Sequence, residues 1–351
     1  MSLALIHSSI VTPLGADINL VHLSAQAGIK PFENTAFFGK NGPRIKSARI
    51  PKWFANLCDH IDKYPQGLSP FNQRLFNLAT LSLLDLRKVI QDTPLAAFVC
   101  TDPSLLRSPS LHVELIPSIA HNTGITLDPE HSFVSGAGRF GLAQCLDRAQ
   151  KYVEATQAPY VLIGCLDSLI EPTRLLKLSK AGRLISPEAN FASRYTHSPA
   201  MGGVIPSEAV VWLIFASKYA HLSDNRNYLY LTDNVTHISS RGSLNQREGM
   251  TAAFDQLRKQ YGASQALLSC ETGEAWHNRD LQVACLQHRD YIDAACYRLR
   301  LCDWLGDVGA AAPALALVLA ERLALHQVTI AGWDERQSAN ALQFTRPPKS
   351  A

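Results

Sequence analysis

The chain has 351 residues, 46% hydrophobic and 18% charged, and its 33 basic and 30 acidic side chains leave a net charge of +3. That balance, with no dense Lys/Arg run, excludes a nucleic-acid footprint, and no apolar run reaches the roughly 18 to 20 residues that span a bilayer, so no membrane insertion is expected. The length suits one large domain or two ordinary ones, and the low charge content suits extensive burial or a sizeable interface.

In chain order, the opening MSLALIHSSIVTPLG is apolar but lacks a basic leader and a cleavage site, so it reads as a first strand rather than a signal peptide. The pattern then predicts a helix over 71–90, a strand over 96–100 and a short strand over 131–134. The small-residue turn Ser135-Gly136-Ala137-Gly138-Arg139-Phe140-Gly141 follows and opens a helix over 142–155. A turn of that kind presents one residue near the helix N-terminus, where backbone N–H groups and the dipole favour an anion. That residue is Gly138, which has no side chain. A strand over 160–164 comes next, then a loop over 197–206 and a continuous apolar strand over 209–215 that predicts burial on both faces. After a loop over 221–227 come a helix over 248–261, a strand over 265–270, Gly306 and Gly309, a helix over 310–324 and a strand over 328–332. Residues 345–351 read as a frayed tail.

The two halves repeat one pattern. Gly141 and Gly164 are separated by 23 residues, as are Gly309 and Gly332. Both glycine-led helices read as apolar nearly all round and therefore as buried. Pro313 falls in the first turn of the second, where its missing N–H costs little. The eight cysteines form no CxxC pair and the twelve histidines no HxxxH or HxH pair. No metal site and no cofactor is expected, and a reducing, cytoplasmic compartment is the simplest reading.

Several segments, taken in order, carry a family likeness. They are Ser9-Ile-Val-Thr-Pro-Leu-Gly15 with Ala27-Gly-Ile-Lys-Pro-Phe32, Glu208 with its strand to Phe215, Gly306-Asp-Val-Gly-Ala-Ala-Ala312, and Asn340-Ala341 with Leu342 to Phe344. Together they resemble, nearly end to end, the β-ketoacyl-acyl-carrier-protein synthases of the thiolase-like fold. The resemblance implies an α/β protein of two similar mixed-sheet halves, residues 1–221 and 222–351, in a layered α-β-α-β-α arrangement. It also implies a dimer formed through residues 116–134, with a second copy or an intact ketosynthase as partner, and contact with an acyl carrier protein.

That family works with one cysteine and two histidines. The matching positions here are Gly138, Cys270 and Gly306, so the resemblance implies a catalytically degenerate member with no catalytic residue retained. The family's glycine-rich gating loop stands here as Glu335-Arg-Gln-Ser338, and its Gly-Glu-Gly turn as Ser207-Glu208-Ala209. Cys270 is the candidate relocated nucleophile, or a small residue filling the hole left by a histidine; it reads as the counterpart of Cys100. Cys145 and Ser135 are weaker candidates. Arg139 carries charge into the cleft, crosses a subunit interface, or is solvated or ion-paired. Glu271 and Glu274 line a new pocket or are surface loop carboxylates, and Asp307 is most simply a helix cap. Three functions follow: a non-catalytic ketosynthase partner of chain-length-factor type or a carrier-protein docking module; a scaffold or adaptor, for example in secretion; and an acyl-binding or acyltransferase enzyme using Cys270.

Overall fold

The structure is a computed structural model that describes residues 3–38, 44–55, 61–90, 94–185, 202–222, 228–237, 249–334 and 338–347. Its spine is a ten-stranded mixed sheet. In chain order the strands are β1 (Ala4–Val11), β4 (Ala97–Cys100), β5 (Phe133–Ser135), β6 (Tyr160–Ser168), β7 (Glu208–Ala216), β8 (Leu229–His237), β9 (Ala266–Ser269), β10 (Tyr297–Arg300), β11 (Gln327–Trp333) and β12 (Ala339–Thr345). A separate hairpin pairs β2 (Phe32–Phe38) with β3 (Arg44–Ala48).

The ten strands fall into two sets of five with one topology, β5-β4-β6-β7-β1 and β10-β9-β11-β12-β8. In both sets the first three strands run parallel and the last two pairings are antiparallel. The sets meet through a two-residue antiparallel contact, Ala4 with Tyr230 and Leu5 with Leu229. The repeat read from glycine spacing is thus a repeat of strand order.

Helices fill three layers. Between the two strand sets lie α5 (Gly141–Thr156) and α10 (Ala312–Arg322), sharing one core with inward side chains of both, such as Phe98 and Ile163 from one and Leu268 and Ile330 from the other. Outside the first set, α3 (Pro70–Leu86) and α4 (Pro109–Thr123) pack on Val99, Leu162 and Trp212. Outside the second, α7 (Gly249–Gln260) and α8 (Ala275–Gln287) pack on Leu267, Ala331 and Trp333. The short α1 (Ile18–Gln26), α2 (Lys52–Ala55), α6 (Pro172–Lys180) and α9 (Cys302–Leu305) complete the described helices. This is the expected α-β-α-β-α layering.

The two central helices differ from expectation in one respect. Every residue from Ala312 to Ala320 of α10 is buried, and Pro313 sits in its first turn. By contrast α5 is amphipathic: Leu142, Cys145, Leu146 and Ala149 are buried, but Gln144, Asp147 and Arg148 face solvent. The apolar residues of α5 occupy one stripe rather than the full circumference.

Candidate functional site

The C-terminal end of β5 leads into a tight turn, one turn of 3-10 helix over Gly138–Phe140, and then α5. Gly138 has φ +58°, a left-handed conformation that side chains rarely adopt, and its N–H donates to the Thr101 carbonyl at 3.0 Å. A Cβ placed there meets nothing closer than Pro103 Cδ at 4.0 Å, so the position is strained but roomy. Ser135, the nearby candidate, is committed to the turn: its hydroxyl donates to Gln144 Oε1 at 2.9 Å and accepts from Ala137 N–H at 3.1 Å.

The second half repeats this device at Gly309, which has φ +59° and opens a 3-10 turn over Gly309–Ala311 followed by α10. The conformational match therefore pairs Gly138 with Gly309, not Gly141 with Gly309 as the 23-residue spacing implied; the helices that follow differ in length, 16 residues for α5 and 11 for α10. At Gly309 the space is full. The Asp167 carboxylate occupies the Cβ position and accepts the Ala310 N–H at 2.7 Å. Asp167 is held in turn by Arg174, which also donates to the Ser168 carbonyl at 3.1 Å and to Asp102 at 3.0 Å. Burial raises the Asp167 carboxyl above the usual range, against the pull of Arg174. Gly306 caps α9 with φ +73°, and a Cβ there would lie 2.6 Å from the Ile205 carbonyl oxygen. The position matching the family's second histidine has no room for a side chain.

Arg139 and Asp307 bridge the two helix starts with an ion pair in which Asp307 is buried and Arg139 nearly so. Asp307 also accepts the Gly309 N–H at 2.9 Å, a turn contact just ahead of the helix, whose N-cap position is Val308, and its backbone bonds to Ile205 and Ser207.

Cys270 lies one residue past the end of β9, its N–H donating to the Ala331 carbonyl at 2.8 Å. Cys100, its counterpart in the sequence reading, likewise turns into the inter-sheet core, with Phe98 and Cys100 matching Leu268 and Cys270 by face, although Cys100 is the last residue of β4 and Cys270 lies one past β9. The Cys270 side chain is 2% exposed, and burial pushes the thiol well up, with Arg139 opposing. A protonated, enclosed thiol is a poor nucleophile. Cys145 is also buried, and the neighbouring Cys100 thiol and burial push its own thiol up. The seven described cysteines are free thiols; Cys58 lies outside the described residues, as do positions 335–337 of the loop matched to the gating segment.

Glu271 and Glu274 are not surface carboxylates. Both are buried and paired, Glu271 with Arg300 at 2.7 Å and Glu274 with both arms of Arg183 at 2.9 and 2.8 Å. Strand alternation turns Cys270 toward the inter-sheet core and Glu271 toward the outer face with Leu267, so Glu271 does not join Arg139 and Asp307 at the helix starts. Glu208, at the start of β7, is fully buried and accepts from Ile50 N–H and the Ser168 hydroxyl while pairing with Arg74. It ties the loop after β3 to the sheet.

One residue of this region escaped the sequence reading. His277, on α8, is buried against Trp276 and Trp333, with ring centroids 3.6 and 5.1 Å away. Its Nδ1 lies 2.8 Å from the Thr272 hydroxyl, which bonds Glu274. Burial, then Arg139 and Arg183, push its pKa down to about 2, so the imidazole is neutral. It follows the end of β9 by eight residues and forms no paired motif, so nothing in its spacing marked it. Among the described residues no cluster of His, Cys, Asp and Glu fits a metal ion.

No family model matches the sequence, and no curated protein matches it. Solved structures do match, along nearly the whole chain. The ishigamide ketosynthase/chain length factor is 14% identical with a TM-score of 0.63, covering 99% of this chain and 100% of its own. A β-ketoacyl synthase from Burkholderia phymatum is 12% identical with a TM-score of 0.68, covering 99% and 100%. An oxazolomycin ketosynthase domain from Streptomyces albus is 11% identical with a TM-score of 0.71, covering 100% of this chain and 76% of that one. The protein has the thiolase-like fold of the ketosynthases.

Proposed function

We propose that the protein is a non-catalytic ketosynthase-like subunit that acts beside an active ketosynthase, or as a pair of its own copies, and meets an acyl carrier protein in fatty-acid or polyketide-type synthesis. The observation that carries this reading is Gly138, a strained and open helix start with no side chain to attack an acyl group. The other two matched positions support it: Cys270 is an enclosed thiol, and Gly306 lies against the Ile205 carbonyl. Such a subunit contributes shape and contact rather than a covalent step. One structural neighbour is described as a ketosynthase/chain length factor and another as a ketosynthase with its acyl-carrier protein, which is the setting we propose for this chain. The dimer contact we place at residues 116–134, which end in β5, a terminal strand of the sheet with one neighbour. An isologous pairing there would cover the open edge. We keep the division at 221 and 222, between β7 and β8, and a reducing cytoplasmic setting in keeping with the free thiols.

The test is incubation with acyl- and malonyl-loaded carrier protein, followed by intact-mass spectrometry and co-purification. The expected result is no mass gain and co-purification of a ketosynthase or carrier protein. Stoichiometric acylation lost in Cys270→Ala would overturn the non-catalytic reading. Retrieval of secretion components alone would favour an adaptor.

A further inference from the structure

We infer that a cavity on the outer face of the first strand set, between β1 and the segment that follows α3, binds a small uncharged phenol. The cavity measures about 140 Å³ and lies apart from the Gly138 helix start. An aliphatic-lined cavity of about 150 Å³ holds a benzene ring.

The repeat within the molecule supplies the occupant. β1 and β8 are counterparts, and each is bulged at the same point. Against β7, the pairing of β1 skips Ile6, between Leu5 with Phe215 and His7 with Ile214. Against β12, the pairing of β8 skips Thr232, between Leu231 with Phe344 and Asp233 with Gln343. In the second half an aromatic side chain closes over the bulge. Tyr261, directly after α7, donates its hydroxyl to the Thr232 carbonyl at 3.0 Å. In the first half the chain leaving α3 brings Val89 and Ile90 instead, and the cavity opens between them and Ile6. A phenol there supplies both missing parts, a ring for the space and a hydroxyl that donates to the Ile6 carbonyl as Tyr261 donates to that of Thr232.

The walls agree with that chemistry. Ile90, Leu95 and Ile214 are aliphatic, and Tyr160 adds an aromatic face. His7 also borders the space, but no Asp, Glu, Lys or Arg among the described residues does, which favours an uncharged ligand. Of the lining residues, Val89 alone is an exposed large apolar side chain. A protein partner would need a wider apolar patch than that, so the occupant is a free small molecule rather than a side chain of another protein.

Fluorine NMR titration of the full chain with para-fluorophenol, fluorobenzene and para-fluorobenzoate tests this. The phenol binds saturably. Fluorobenzene, which has the ring without the hydroxyl, binds about threefold to tenfold more weakly, the loss of one neutral hydrogen bond. The benzoate, a buried charge, shows no saturable binding. Ile90→Tyr puts back the ring that Tyr261 supplies in the other half, fills the cavity and abolishes phenol binding. Absence of saturation by the phenol up to about 10 mM overturns the proposal. So does fluorobenzene or the benzoate binding as tightly as the phenol, or an Ile90→Tyr variant that binds the phenol like the unaltered chain. Should Ile90→Tyr fail to fold, Val89→Tyr at the exposed neighbouring position carries the same expectation. None of these readouts depends on acyl chemistry, so the result stands apart from the ketosynthase-subunit reading.

Discussion

Arg139 and Asp307, 168 residues apart in the chain, neutralise each other in the buried space between the two helix starts. Removing Arg139 takes a counter-charge from the buried Asp307 carboxylate. Arg139→Ala is expected to lower unfolding stability by about 3 to 5 kcal/mol, measured by urea denaturation. Replacing both partners with Met and Leu is expected to cost much less than the sum of the single changes, since no charge is then stranded. A single-variant loss below about 1 kcal/mol, the range of exposed pairs, would mean that water reaches the pair.

Gly138 and Gly309 share a backbone conformation but not a neighbourhood. Gly138→Ala meets only the left-handed strain and is expected to cost about 1 to 2 kcal/mol. At Gly309 an added Cβ would lie 1.9 Å from Asp167 Oδ2, a carboxylate already locked by Arg174 and the Ala310 N–H. Gly309→Ala is expected to cost at least about 4 kcal/mol or to prevent folding. Thermal unfolding of the two variants side by side checks the contrast; similar losses would show that the Asp167 lock yields easily.

The architecture was legible where strands are long and apolar, as in β6, β7 and β11, and where a small-residue turn precedes a helix, as at Gly138. It was not legible at β10, four residues that include Arg298 and Arg300, or at β8, where only part of the strand is buried. Terminal and half-covered strands carry little apolar signal, and their place comes from pairing with distant partners. The same limit governs the site. Glu271 and Glu274 looked like loop carboxylates because Arg300 and Arg183, which pair with them, stand 29 and 91 residues away. His277 was missed because its environment is assembled from Trp333 and the Thr272 loop rather than from a local motif.

Cys270 is expected to stay unmodified when the native protein meets iodoacetamide at neutral pH, and to react fully once urea is added, read by peptide mass spectrometry. The enclosure that blocks the reagent also holds the thiol protonated. Gly138→Cys, by contrast, would place a thiol at a half-buried helix start and is expected to react under native conditions. Its reactivity would show that this helix start is reachable from solvent. Rapid native alkylation of Cys270 would restore it as a nucleophile.

His277 sets a pH dependence whose sign follows from its depressed pKa. In the unfolded chain the imidazole takes a proton near its ordinary value of 6.5, whereas in the folded protein burial, with Arg139 and Arg183, holds it neutral down to about 2. Above 6.5 both states are neutral and nothing is lost. As the pH falls from 6.5 toward 2 the unfolded state binds the extra proton, so stability declines by up to about 1.4 kcal/mol per pH unit from this group. Buried Asp167, Glu271 and Asp280, whose carboxyl pKa values burial raises, act in the opposite direction, because the folded state binds their protons more readily as the solution is acidified. The net slope of the unaltered protein therefore mixes the two, and the informative quantity is its difference from His277→Asn. Urea unfolding at pH 7.5, 6.5, 5.5 and 4.5 is expected to give parallel behaviour down to about 6.5 and then a steady loss by the unaltered chain relative to the variant. Curves that stay parallel to pH 4.5 would mean that the folded protein accommodates the imidazolium, which requires water or an acidic partner at the ring.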